Sequence, residues 1–173
     1  MTQFEYVSTF VSILYAIMVG RAVITLAGLS FRRASWLHVS WIAILLVNIL
    51  QTWWIRWSGH DEVYHYGWFI LSVAHTIPMM FAVATLSPAK QPDDWSIYFE
   101  ENRVRFFSSY LAFWVTIGIS NFLGGGGWKG IIGPILFSIA GAVFKNRFVQ
   151  TALPVTFVTM FVLIGVMMAR HGV

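Results

Sequence analysis

Six long apolar stretches run along the 173 residues, and nearly every charged position falls in the short gaps between them. The stretches are continuous and lack a two-residue alternation, which predicts helices rather than the strands of a membrane barrel. A helix crossing a hydrocarbon core of about 30 Å needs about 20 residues, because each adds about 1.5 Å. Spans are expected at about residues 7–29, 36–57, 68–86, 104–123, 131–144 and 149–169, the fifth being short. The chain is therefore read as all-α: a polytopic membrane helix bundle of about six transmembrane helices, forming one domain over residues 1–173.

Composition sharpens this reading. With 58% hydrophobic and 10% charged residues, a water-soluble core would lack the polar surface to cover it. The formal charge of +4 comes from Lys and Arg scattered over the connections, not from a basic patch, so nucleic acid is not an expected partner. Cysteine is absent, which removes disulfides, thiolate nucleophiles and cysteine-ligated metals. Residues 1–6 carry Glu5 instead of basic residues, so the first stretch is expected to stay as a span and not to be cleaved.

Six spans divide the connections between two faces. Arg32, Arg33, Lys90, Arg103, Arg105, Lys145 and Arg147 fall on one; Arg56, Lys129 and Arg170 fall on the other. By the positive-inside rule the first face is cytoplasmic and both termini lie outside. Trp36, Trp53, Trp54, Trp57, Trp68, Trp95 and Trp128 fall near expected interfaces, which suits indoles. In the longest connection, Asp93-Asp94 precedes Trp95-Ser96-Ile97-Tyr98-Phe99. An aspartate cap followed by aromatics predicts a short interfacial anchor helix ahead of the fourth span. His75-Thr76-Ile77-Pro78-Met79-Met80-Phe81 is weakly echoed by Thr151-Ala152-Leu153-Pro154-Val155-Thr156-Phe157. The echo fits either two proline kinks or the inverted repeats of transporters with broken helices.

A few polar residues sit where lipid is expected. Arg21 lies in the first span with no Asp or Glu in any span to pair with it. It is about 12 Å deep from position 29 at the helical rise. Its side chain either reaches toward the cytoplasmic headgroups or binds an anionic headgroup or small anion. His38, Trp41, Leu45, Asn48 and Thr52 recur at three- and four-residue steps and form one face of the second span. Asn48 on that face is expected to bond a neighbouring helix or a ligand. Gln51, His75 and Asn121 fall at similar depths in three helices, as interhelical hydrogen-bonding groups or as the lining of a small polar cavity. Arg21, His38, Asn48, Gln51, His75 and Asn121 are thus the candidate ligand-binding residues.

Signals for chemistry are thin. His60 and His65 are weak metal candidates in an outer loop, five apart without a stringent zinc spacing. Gly124-Gly125-Gly126-Gly127-Trp128-Lys129-Gly130 lacks the Gly-Lys-Ser/Thr of a phosphate loop and follows a helix instead of a strand. Gly130, Pro134, Ser138 and Ala142 make a small-residue stripe, suited to packing within the chain or to self-association. Neither a nucleophile–base arrangement nor an intramembrane aspartate pair or lysine is found, so no catalytic residue and no cofactor is expected.

Phe4-Glu5-Tyr6-Val7-Ser8, Trp36-Leu37-His38-Val39-Ser40-Trp41, Gln51-Thr52-Trp53-Trp54 and Tyr98-Phe99-Glu100-Glu101-Asn102-Arg103 carry a resemblance. Over roughly residues 4–107 the chain resembles a group of uncharacterised bacterial multispan inner-membrane proteins. The resemblance implies a bacterial inner-membrane home and transfers no functional residue. The expected function is a small transporter or channel for a small solute, ion or lipid-like anion, working as a homo-oligomer. The alternative is a non-catalytic accessory subunit of a larger membrane complex. Membrane lipids, further copies of the chain or other membrane subunits are the expected partners.

Overall fold

A computed structural model describes residues 3–29, 35–58, 66–125, 129–146 and 148–159. Among them are six helices and no strand: α1 Gln3–Gly28, α2 Trp36–Ser58, α3 Tyr66–Leu86, α4 Trp95–Leu123, α5 Lys129–Val143 and α6 Phe148–Thr159. α1 to α4 are long and apolar enough to cross a bilayer, while α5 and α6 are shorter apolar helices over their described lengths. At 15 residues, α5 reaches only about 22 Å. The expected six-helix bundle is what the chain forms.

α1 shows why this is a membrane fold. Val11, Tyr15, Met18 and Ala22 face the other helices, yet Ile13, Ile17 and Ile24 on its opposite side stay exposed. A helix apolar on both faces has no water-compatible side. Serine and threonine are accommodated by bonding back to their own helix. The hydroxyls of Thr9, Thr25, Ser40, Thr52, Thr76, Thr85, Thr116 and Ser138, for example, bond the carbonyl four residues earlier. Each hydroxyl thereby meets its hydrogen-bonding need without a partner in lipid.

α4 is the axis of the bundle and packs against α2, α3 and α5. Its buried face carries Trp95, Phe99, Arg103, Phe106, Phe107, Tyr110 and Phe113, a three- and four-residue spacing that keeps them on one side. Trp41 of α2 inserts among these rings, 5.0 Å from Phe107, 5.5 Å from Phe106 and 6.0 Å from Tyr110. Phe157 of α6 closes the far side, 6.3 Å from Tyr110. Edge-on and offset ring pairs of this kind contribute about 0.5–1.5 kcal/mol each beyond area burial. Opposite Phe107, the backbone of α5 comes so close that a Cβ on Gly141 would overlap the ring. Ser138 and Pro134 on the same side of α5 are buried too, whereas Gly130 is exposed. Most of the small-residue stripe therefore serves packing within the chain.

Two expectations change. The interfacial helix and the fourth span are one continuous helix, 29 residues and about 43 Å long. Asp94 does cap it, its Oδ1 accepting from Ser96 N at 2.7 Å and Ile97 N at 3.1 Å. Nothing breaks the helix at Val104, because the charged run 100–105 keeps helical spacing with the aromatic face. Trp95 and Phe99 are buried against α2, and thus are core residues instead of surface anchors. Trp36 and Trp54, by contrast, are exposed. α3 and α6 remain helical through Pro78 and Pro154, so neither is broken at the proline as a transporter half-helix would be.

Candidate functional site

α1, α3 and α5 all end at the same pole of the bundle. An α-helix leaves its last four carbonyls without internal partners and carries about half a negative charge at that end. Three such ends gathered in one place demand donors and cations. The chain supplies them from neighbouring helices.

At α1 the donor is Gln91, whose Nε2 reaches Gly28 O at 2.9 Å. A Cβ at Gly28 would stand 2.5 Å from that same nitrogen, so a larger residue there would make the Gln91 side chain shift. At α5 the donors are Arg103 and Gln150. Arg103 Nη1 bonds the carbonyls of Gly141, Ala142 (2.8 Å) and Phe144 (3.3 Å), and Gln150 Nε2 bonds Gly141 O (3.0 Å) and Phe144 O (2.6 Å). Both side chains are fully buried, and Glu100 Oε2 lies 3.4 Å from Arg103 Nε.

The end of α3 is served from three helices. Tyr98 of α4 donates its hydroxyl to Thr85 O at 2.7 Å. Arg21 of α1 donates Nε to Ser87 O at 2.8 Å. Between them, the Leu86 carbonyl faces the His38 ring of α2, although neither nitrogen of His38 reaches it with ordinary hydrogen-bond geometry. His38 is wholly buried, 4.5 Å from Trp95 and about edge-on to Phe99 at 6.2 Å. The Ser87 hydroxyl beside it is also buried without a hydrogen bond.

Arg21, unlike Arg103, Gln150 and His38, is exposed on the outside of the bundle. One of its five N–H groups is engaged within the chain, and the terminal amino groups have no acceptor among the described residues. Arg105 lies on the Tyr98 face of α4, seven residues on, and is exposed as well. Both guanidinium groups are within electrostatic reach of the Tyr98 hydroxyl.

The other candidate residues are not gathered there. Asn48 ties α2 to α4 through Nδ2 to Tyr110 Oη at 3.2 Å, and also bonds Ile44 O at 2.7 Å. His75 is buried in α3, with Nε2 3.3 Å from Tyr15 Oη and its ring 6.4 Å from Phe113. Gln51 is half-buried on α2 and Asn121 is exposed on α4. His60 and His65 lie outside the described residues. Among the described residues, no group of three or more His, Cys, Asp or Glu side chains is placed to hold a metal.

Sequence reasoning missed Tyr98, Arg103, Arg105 and Gln150. Arg103 was signalled by its place between Phe99 and Phe107 on a four-residue helical step, which assigns it to the aromatic face and not to a loop.

The fold defines an all-helical bundle of the membrane type, with a donor-rich pole where three helix ends converge. No protein-family model, curated protein or solved structure matches the chain.

Proposed function

We propose that this protein is a small multispan membrane protein that handles a lipid-like anion at its arginine-bearing pole, as a transporter. The observation that carries this reading is Arg21. Its guanidinium is anchored by one hydrogen bond to Ser87 O on the lipid-facing outside of the bundle, with its terminal amino groups directed to no protein acceptor among the described residues. A fixed cation at that depth is costly unless an anion or headgroup meets it. Aromatic rings fill the space between α2, α4 and α6, so a ligand would move along the outer surface of α1, α3 and α4 instead of through the bundle axis. The resemblance to bacterial inner-membrane proteins supports that location. The basic bias supports a cytoplasmic position for this pole, with both termini outside.

In vesicles containing labelled phosphatidylglycerol, the reconstituted protein should move label between leaflets, and Arg21→Leu should stop it while leaving the helices folded. Unchanged movement in Arg21→Leu would remove the main support for this reading.

The filled aromatic interior favours a second reading, a non-catalytic accessory subunit. Gentle extraction at fixed stoichiometry with other membrane proteins is its expected signature, and isolation of the chain alone contradicts it.

A further inference from the structure

At the end of α3, two buried side chains from different parts of the fold lack hydrogen-bond partners. His38 of α2 is 0% exposed, and neither Nδ1 nor Nε2 has a partner among the described residues. Ser87, directly after α3, is 1% exposed, and its hydroxyl is equally unpartnered. Contacts from α4 bring the two to one place. The Tyr98 ring lies 6.1 Å from the His38 ring, and its hydroxyl donates to Thr85 O, two residues before Ser87. α2 also packs directly on α3. Arg21 uses the Ser87 carbonyl and leaves the hydroxyl unspent.

A buried polar atom that has lost its hydration is costly, so such atoms are paired with protein or with ordered water. A neutral imidazole presents one donor and one acceptor, and a serine hydroxyl offers both. A molecule joining them must therefore donate and accept. It must also be small, because Trp95, Tyr98 and Phe99 stand around the imidazole at 4.5, 6.1 and 6.2 Å between ring centroids. Water meets both conditions. A buried water makes about three hydrogen bonds, and the Leu86 carbonyl, at the end of α3 without an internal partner, supplies the third.

We infer that one buried water bridges the His38 imidazole and the Ser87 hydroxyl, pinning α2 to the C-terminal end of α3. The site does not depend on the anion-handling reading. It holds the Ser87 residue from the α2 side while Arg21 of α1 holds its carbonyl. Ser87→Ala removes the hydroxyl and spares that carbonyl, so it isolates the contribution of the bridge.

The test has two arms, both on the full chain. The first is unfolding of Ser87→Ala beside wild type in mild detergent. The bridge predicts a folding equilibrium constant lowered about fivefold, the size of one hydrogen bond. Removing a hydroxyl that had no partner would relieve a buried orphan instead, so unchanged or raised stability overturns the bridge. The second arm is water-edited solid-state NMR of the chain in bilayers with isotope-labelled histidine, the His38 signals being those missing from His38→Gln. Rapid transfer from water protons to the His38 nitrogens in wild type, lost in Ser87→Ala, is the expected pair of results. A destabilised Ser87→Ala with no water signal at His38 in wild type means a direct serine–imidazole bond and overturns the bridge. Water transfer that persists unchanged in Ser87→Ala overturns it as well, leaving a water on His38 alone. The first arm stands whether or not His38→Gln folds.

Discussion

Arg103 and Arg21 do the same local job at two ends of one pole, and they do it in opposite surroundings. Each gives a guanidinium N–H to the carbonyl end of a neighbouring helix, α5 for Arg103 and α3 for Arg21. Arg103 is buried, and its Nη1 serves three carbonyls with Glu100 beside it. Arg21 is exposed and makes one such bond. A buried cation must be surrounded by acceptors to tolerate loss of water, so Arg103 is committed to the fold. Arg21 gives one N–H to Ser87 O and keeps most of its donors, which is what a binding group requires. On the proposed reading, the same residue type at the same kind of helix end separates into a structural and a functional role by burial.

The contrast breaks most visibly at Arg103. Arg103→Leu strips a donor from the carbonyls of Gly141, Ala142 and Phe144 at the end of α5 and leaves Gln150 to serve only Gly141 and Phe144, with an expected cost of about 3 kcal/mol or more. Thermal or denaturant unfolding in mild detergent should show this as a large loss of stability. Next in size, Gly141→Ala forces a methyl against the Phe107 ring and should cost about 1–3 kcal/mol in the same assay. A double-mutant cycle on Asn48→Ala and Tyr110→Phe should return a coupling near 0.6 kcal/mol, the usual size of an interhelical hydrogen bond in a membrane protein. Arg21→Gln should cost no more than about 1 kcal/mol, the range for a charge at a helix end and well below the cost of Arg103→Leu. A stability loss in Arg21→Gln equal to that of Arg103→Leu would erase the distinction between the two arginines.

Much of the bundle was legible from hydropathy, because a bilayer demands long uninterrupted apolar helices and leaves charges only at their ends. The α2 face bearing His38, Trp41, Leu45 and Asn48 was also legible, since helical spacing alone aligns them, and all four are buried. The start of α4 was not. The run Glu100-Glu101-Asn102-Arg103-Val104-Arg105 reads as a loop by charge, but a helix extending beyond the apolar layer places charges on its outer side and keeps Phe99 and Arg103 inward. The fate of Arg21 was only half legible. Its need for a partner follows from its depth, but the partner is a backbone carbonyl at Ser87, 66 residues along the chain, and carbonyls leave no mark in a sequence. The same holds for Arg103 and Gln150, whose acceptors are the ends of a helix that composition alone does not place beside them.

The most direct test is native mass spectrometry of the tagged chain, extracted gently from its own membrane, with Arg21→Leu measured beside wild type. A phosphate-bearing lipid or small anion retained by the wild type and lost from a folded Arg21→Leu is the expected result. Retention of the same adduct by both proteins would contradict the assignment of Arg21 as a ligand-binding residue.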